Sequence, residues 1–183
     1  RSELTRMIDR DGDDVIDAYD TICNAWGLTG NYHEYAFGPV LDRDNNFMIT
    51  LNQTIGDAAL KDNRWRGWGA LITPDGTFTP LSPGMRSPCG LGANLDGDVF
   101  FTDQQGNWVP AGSLHHLRKG VFYGHPESLK HCALPESPLQ HSEAVPEGKL
   151  YPVAVAEDPA LVPVAYTPLT PPPTCAVVTP CAA

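Results

Sequence analysis

Short runs of alternating apolar and polar residues, each launched by a tight-turn signal, fill the middle of the chain. Asp44-Asn45-Asn46-Phe47, Asp75-Gly76-Thr77-Phe78 and Asp96-Gly97-Asp98-Val99-Phe100 each set an Asp-Asn or Asp-Gly turn directly before β-branched and aromatic residues. Such turns tolerate positive φ, and the side chains after them suit a pleated, half-buried surface. Strands are predicted over Phe47–Asn52, Trp65–Thr73, a shorter run from Phe78, a hairpin of Cys89–Leu95 with Val99–Asp103, and Leu114–Lys119. Pro80 and Pro83 confine the run from Phe78 to a sheet edge or end. Upstream, Arg1–Ile8 reads as the end of a strand, and Asp17–Trp26 as a helical turn or irregular segment. Tyr32–Val40 alternates loosely, with a turn at Asp42–Asn46 after it.

The turn copies are spaced by 31 and 21 residues. That pattern predicts an all-β fold of repeated antiparallel sheets, as in propeller blades, rather than one continuous sandwich. Composition divides the chain near residue 131: the segment 131–183 holds eleven of the 18 prolines, one of the 17 glycines and none of the four tryptophans. The expectation is a partial β-propeller of about two to three blades over residues 1–130, with an Asp-rich loop near its start. Residues 131–183 are then an extended or disordered proline-rich tail, with Thr167–Thr174 as extended polyproline or disordered chain. Open blade edges, and a first residue that is Arg with no signal-peptide pattern, point to a processed start or a piece of a larger propeller.

A net charge of −10 with pI near 4.8 leaves no basic stripe for nucleic acid. No apolar run approaches the roughly 20 residues that cross a bilayer. Five cysteines (Cys23, Cys89, Cys132, Cys175, Cys181) lack zinc-ligand spacing and, being odd in number, cannot all pair internally.

Two sets of residues suggest chemistry. The run from Asp9 to Asp20 alternates carboxylates around Gly12, a pattern suited to a hard, oxygen-seeking cation such as calcium. Numbered from Asp9, the residues Asp11, Asp13, Asp17 and Asp20 fall at positions three, five, nine and twelve, with the Val15 carbonyl at seven. Asp14 stands at position six, where the sharp turn favours Gly, and a solvated acidic loop is the alternative. The second set is an ordered series: Gly30-Asn31-Tyr32-His33-Glu34-Tyr35, then Pro83–Leu91 around Arg86-Ser87-Pro88, then Thr102–Asn107, then Leu114–Pro126.

That series, from about Asn31 to Pro126, resembles the soluble glucose/sorbosone dehydrogenase family, quinoprotein β-propellers that oxidise a sugar or other alcohol using pyrroloquinoline quinone. The resemblance implies that His33 matches the general base taking the substrate hydroxyl proton, a task suited to an imidazole. It implies that Arg86 matches the arginine over the cofactor, whose fixed charge stabilises the reduced quinone. Gln105, Gly106 and Asn107 fall where the family's cofactor-site calcium takes ligands. The resemblance also implies a periplasmic or secreted setting and a cytochrome-type electron acceptor.

The chain departs from the family in several places. Asn52 or Gln53 stands where an Asp orients the base, Ser87 replaces Asn, and His125 replaces Trp. The basic residues that grip the cofactor's carboxylates belong to later blades, whereas this chain runs into the proline-rich segment. Whether the isolated chain is an enzyme therefore stays open. A non-catalytic, calcium-stabilised propeller module binding carbohydrate or a protein partner is the alternative, and a decayed fragment with no role of its own is a third reading. Trp65, Trp68, Phe100 and Phe101 are expected to be blade core.

Overall fold

A computed structural model describes residues 2–56, 63–104, 112–140 and 162–164. Among these the chain is all-β and partial-propeller-like, with three antiparallel sheets. Strands β1 (Leu4–Ile8) and β2 (Ala18–Cys23) pair as a ribbon. Strands β3 (Ala36–Leu41), β4 (Phe47–Leu51), β5 (Trp68–Ile72) and β6 (Phe78–Pro83) form a four-stranded meander in chain order. Strands β7 (Cys89–Ala93), β8 (Val99–Gln104) and β9 (Gly112–His116) repeat the arrangement, and β10 (Val162–Val164) takes the fourth place beside β9. The first strands of the two meanders, β3 and β7, are neighbours across the gap between sheets, as in adjacent blades.

The three turn copies adopt one geometry at one end of the sheets. Asp42, Thr73 and Asn94 each open a loop in which the residue's N–H donates to the carbonyl four positions on, at Asn46, Thr77 and Asp98. Their side chains accept backbone N–H groups inside the turn, and the fourth residue takes positive φ: Asn45 at 62°, Gly76 at 93° and Gly97 at 79°. This is why Asn or Gly stands there. Arg43 and Asp98 tie two of the turns together at 2.8 Å.

The first meander is buried on both faces, which accounts for its nearly continuous apolar strands. Ile49, Leu51, Trp68, Ala70 and Ile72 pack with Trp26, Trp65, Phe122 and Leu129 on one side. Met48 and, partly buried, Leu71 face Leu81, Met85, Val99, Phe101 and Tyr123 between the two sheets. Trp65, Trp68 and Phe101 are core, and Phe100 stacks on His116.

Two segments differ from the reading of the sequence. Asp17–Trp26 is not helical: Ala18–Cys23 is strand β2, because β1 offers it a full antiparallel ladder that local propensity could not foresee. The compositional boundary at residue 131 falls inside a 3-10 helix, Pro126–Ala133, that buries Leu129 and Cys132; Leu139 follows into the same core. Pro80 and Pro83 lie on β6, an edge strand as expected. Thr167–Thr174 lies outside the described residues. Cys23, Cys89 and Cys132 are free thiols. Among the described residues no helix is long and apolar enough to cross a membrane.

Candidate active site

An up-and-down meander puts alternate connections at opposite ends. The turns occupy one end. The segment before β3, the connection after β4, the link between β6 and β7, and the end of β8 therefore share the other. His33, Gln53, Arg86, Ser87 and Gln104 come from these four segments.

The His33 ring bridges two of them. Its Nδ1 lies 2.6 Å from the Gln53 backbone carbonyl, an acceptor only, so Nδ1 carries the proton and donates. Nε2, 2.7 Å from Ser87 Oγ, is then the acceptor in the neutral ring and the Ser87 hydroxyl donates to it. The position where the resemblance asks for an orienting carboxylate thus supplies a main-chain carbonyl dipole; the Asn52 and Gln53 side chains do not do this work. The backbone N–H of His33 donates to Asn31 Oδ1, and the Asn31 amide donates to the Ile55 carbonyl, fixing the loop. Glu34, wholly buried, anchors it further by accepting from Thr29 N, Thr29 Oγ1 and Thr54 Oγ1 at 2.6–2.8 Å. Burial alone would raise the Glu34 pKa, but the Thr54 and Thr29 bonds and the Arg66 charge outweigh it and hold it below the usual range.

Arg86 and Ser87 are presented by a turn clamped from below. The buried Asp103 carboxylate accepts Arg86 N at 3.0 Å and Ser87 N at 2.7 Å. Burial pushes Asp103 up to about 6 in spite of these amides. Arg86 Nη1 donates to both Ser87 Oγ and Gln104 Oε1 at 3.0 Å. His125, 2% exposed, lies close enough for the charges of Arg86 and His33 to add to burial in lowering its pKa to about 4. Its Nδ1 has no hydrogen-bond partner among the described residues. A cleft of about 220 Å³ opens beside Ser87, lined also by Cys89, Thr102, Asp103, Gln104, Gly112 and Ser113.

The structure therefore brings His33 and Arg86 together on Ser87. Gln105, Gly106 and Asn107 lie outside the described residues. In the acidic loop, Asp9, Asp11 and Asp17 bring carboxylate oxygens within 4.8 Å of one another. Asp13 and Asp20 do not join them: Asp13 accepts the Val15 N–H, and Asp20, in β2, pairs with Arg6. Asp14 fills the tight turn itself at φ 66°, with Gly12 at 78°. Sequence reading passed over Asp103 and Gln104 as site residues. Only the inward register of β8 marks Asp103, and a polar residue in an alternating strand gives no such signal.

No family model matches the sequence, and no curated protein matches it. Among solved structures, one titled "Crystal structure of glucose dehydrogenase" superimposes with a TM-score of 0.50 at 19% identity, over 76% of this chain and 45% of that one. Another, named glucose dehydrogenase, gives 0.49 at 20% identity, over 76% and 44%. This chain spans less than half the length of those proteins. At such identity the likeness is one of fold.

Proposed function

We propose that this chain is the base-bearing part of a quinone-dependent sugar or alcohol dehydrogenase propeller. The observation that carries the reading is the convergence of a half-buried imidazole and a guanidinium, from separate connections, at one end of blade-like sheets. With Nδ1–H held by the Gln53 carbonyl, His33 keeps Nε2 as its proton acceptor. A substrate hydroxyl exchanging with that of Ser87 delivers its proton there. Pyrroloquinoline quinone, when bound, supplies the hydride acceptor.

The residues present suit one side of that cofactor. Arg86, fixed on the Asp103 clamp, offers a cation to a quinone oxygen or carboxylate. Arg66, on the β4–β5 connection of the same end, is committed to the Gly27 and Tyr35 carbonyls. Arg118 and Lys119 follow the end of β9 that pairs with Phe100, not the end beside Gln104. In this reading, as in the family it resembles, further cations for the quinone carboxylates belong to later blades of a larger propeller. A cytochrome-type acceptor and a periplasmic or secreted location belong to the same reading.

A second reading has its own observation. The Asp9, Asp11 and Asp17 cluster fits a calcium-stabilised, non-catalytic module that binds carbohydrate or a protein partner. Titration with pyrroloquinoline quinone and with calcium, followed by absorbance and melting temperature, separates the two. Saturable quinone binding that His33→Ala and Arg86→Ala each weaken supports the dehydrogenase lineage. Calcium stabilisation with no quinone binding refutes it in favour of the module.

A further inference from the structure

We propose that Ser87 and His33 form a serine–histidine acyl-transfer dyad, able to attack small carboxylic esters and to be captured by activated phosphonates. Ser87 is not needed by the dehydrogenase reading, although the two readings share His33. Three features carry the inference. Ser87 Oγ lies 2.7 Å from His33 Nε2, and the opposite ring nitrogen is held by the Gln53 carbonyl at 2.6 Å. That is the nucleophile, base and orienter arrangement, with a carbonyl dipole as the third member. The Arg86 guanidinium touches the same oxygen at 3.0 Å, where its charge favours the alkoxide and the oxyanion that follows. A small cleft of about 220 Å³ opens beside Ser87, with room for a short acyl group.

The step balances without a cofactor. The Oγ–carbon bond forms as the Ser87 proton passes to His33 Nε2. The tetrahedral oxyanion collapses, the carbon–alkoxide bond breaks, and Nε2 returns the proton to the leaving alcohol. Water, activated by the same nitrogen, then hydrolyses the acyl-serine. The Ser87 and Arg86 amides are both taken by Asp103, so they hold the turn rigid rather than binding the oxyanion. Charge stabilisation therefore falls to the guanidinium.

The test is incubation of the intact chain with a fluorophosphonate probe, peptide mapping of the adduct, and hydrolysis of p-nitrophenyl acetate and p-nitrophenyl octanoate. The expected result is one adduct at Ser87, lost in Ser87→Ala and slowed about a hundredfold or more in His33→Ala, with acetate preferred to octanoate. Circular dichroism melts of each variant establish that it is folded. Ser87→Cys, titrated with iodoacetamide against pH, provides a second route: a thiol whose reactivity depends on His33 supports the dyad. No adduct, an adduct elsewhere, or a Ser87 adduct indifferent to His33→Ala in folded protein overturns it. Quinone binding measured on the wild-type chain tests the dehydrogenase reading separately, since ester hydrolysis by the dyad requires no quinone.

Discussion

Acid should loosen this fold through two buried imidazoles, with one buried carboxylate opposing them. His115 on β9 is wholly buried, stacked on Phe101 at 5.0 Å and bonded to Ser113 Oγ at 2.6 Å, and burial lowers its pKa from 6.5 to about 4. His125 is lowered to about 4 as well, by burial first and then by Arg86 and His33. The unfolded chain takes up these protons near pH 6.5 and the folded chain does not. Stability is therefore complete above 6.5 and lost as pH falls towards 4. At pH 5 each histidine accounts for about 2 kcal/mol of loss, at about 1.4 kcal/mol per pH unit over the interval below 6.5. Asp103 acts in the opposite sense. Raised to about 6, it is protonated in the fold before it is in the unfolded chain, and it returns about 1 kcal/mol at pH 5. Glu34, held below its ordinary range, acts only below this window. The net change from pH 7 to pH 5 is a loss of about 2–3 kcal/mol, or about 5–10 °C in melting temperature for a chain of this size. Urea and thermal denaturation at pH 7, 6 and 5, read by tryptophan fluorescence, measure it. His115→Phe keeps the stack on Phe101 and removes one titration, so its loss should shrink to about a third of the wild-type value or less. Equal wild-type stability at pH 5 and 7, or an unchanged slope in His115→Phe, refutes the reasoning.

Two further outcomes follow from packing and backbone geometry. Trp68 is wholly buried, meets Trp65 edge-on at 5.0 Å and donates Nε1–H to the Ser128 carbonyl, so Trp68→Ala should cost about 3–5 kcal/mol by urea denaturation. Gly76→Ala adds a Cβ 2.3 Å from the Ile22 carbonyl oxygen at φ 93°, whereas Gly12→Ala at φ 78° meets open space. The first should lower the melting temperature well beyond the second, whose cost is conformational strain of about 1 kcal/mol; equal effects would contradict the contact between the β5–β6 turn and β2.

The match between turn chemistry and strand chemistry made the blades readable in advance. Asn45, Gly76 and Gly97 occupy positive-φ positions in three equivalent loops, and that requirement is local. Strand β2 and the 3-10 helix were not readable, because each is stabilised by partners distant in sequence: β1 across the acidic loop, and the Trp65–Trp68 core.

The candidate site divides in the same way. Residue types at His33 and Arg86 can be weighed along the chain, since imidazole and guanidinium chemistry belongs to the side chain itself. Their junction at Ser87, the Gln53 carbonyl behind the ring and the Asp103 carboxylate under the turn join residues up to 54 positions apart. Such contacts depend on which end of the meander each connection occupies. Strand pairing settles that, and one-dimensional spacing does not.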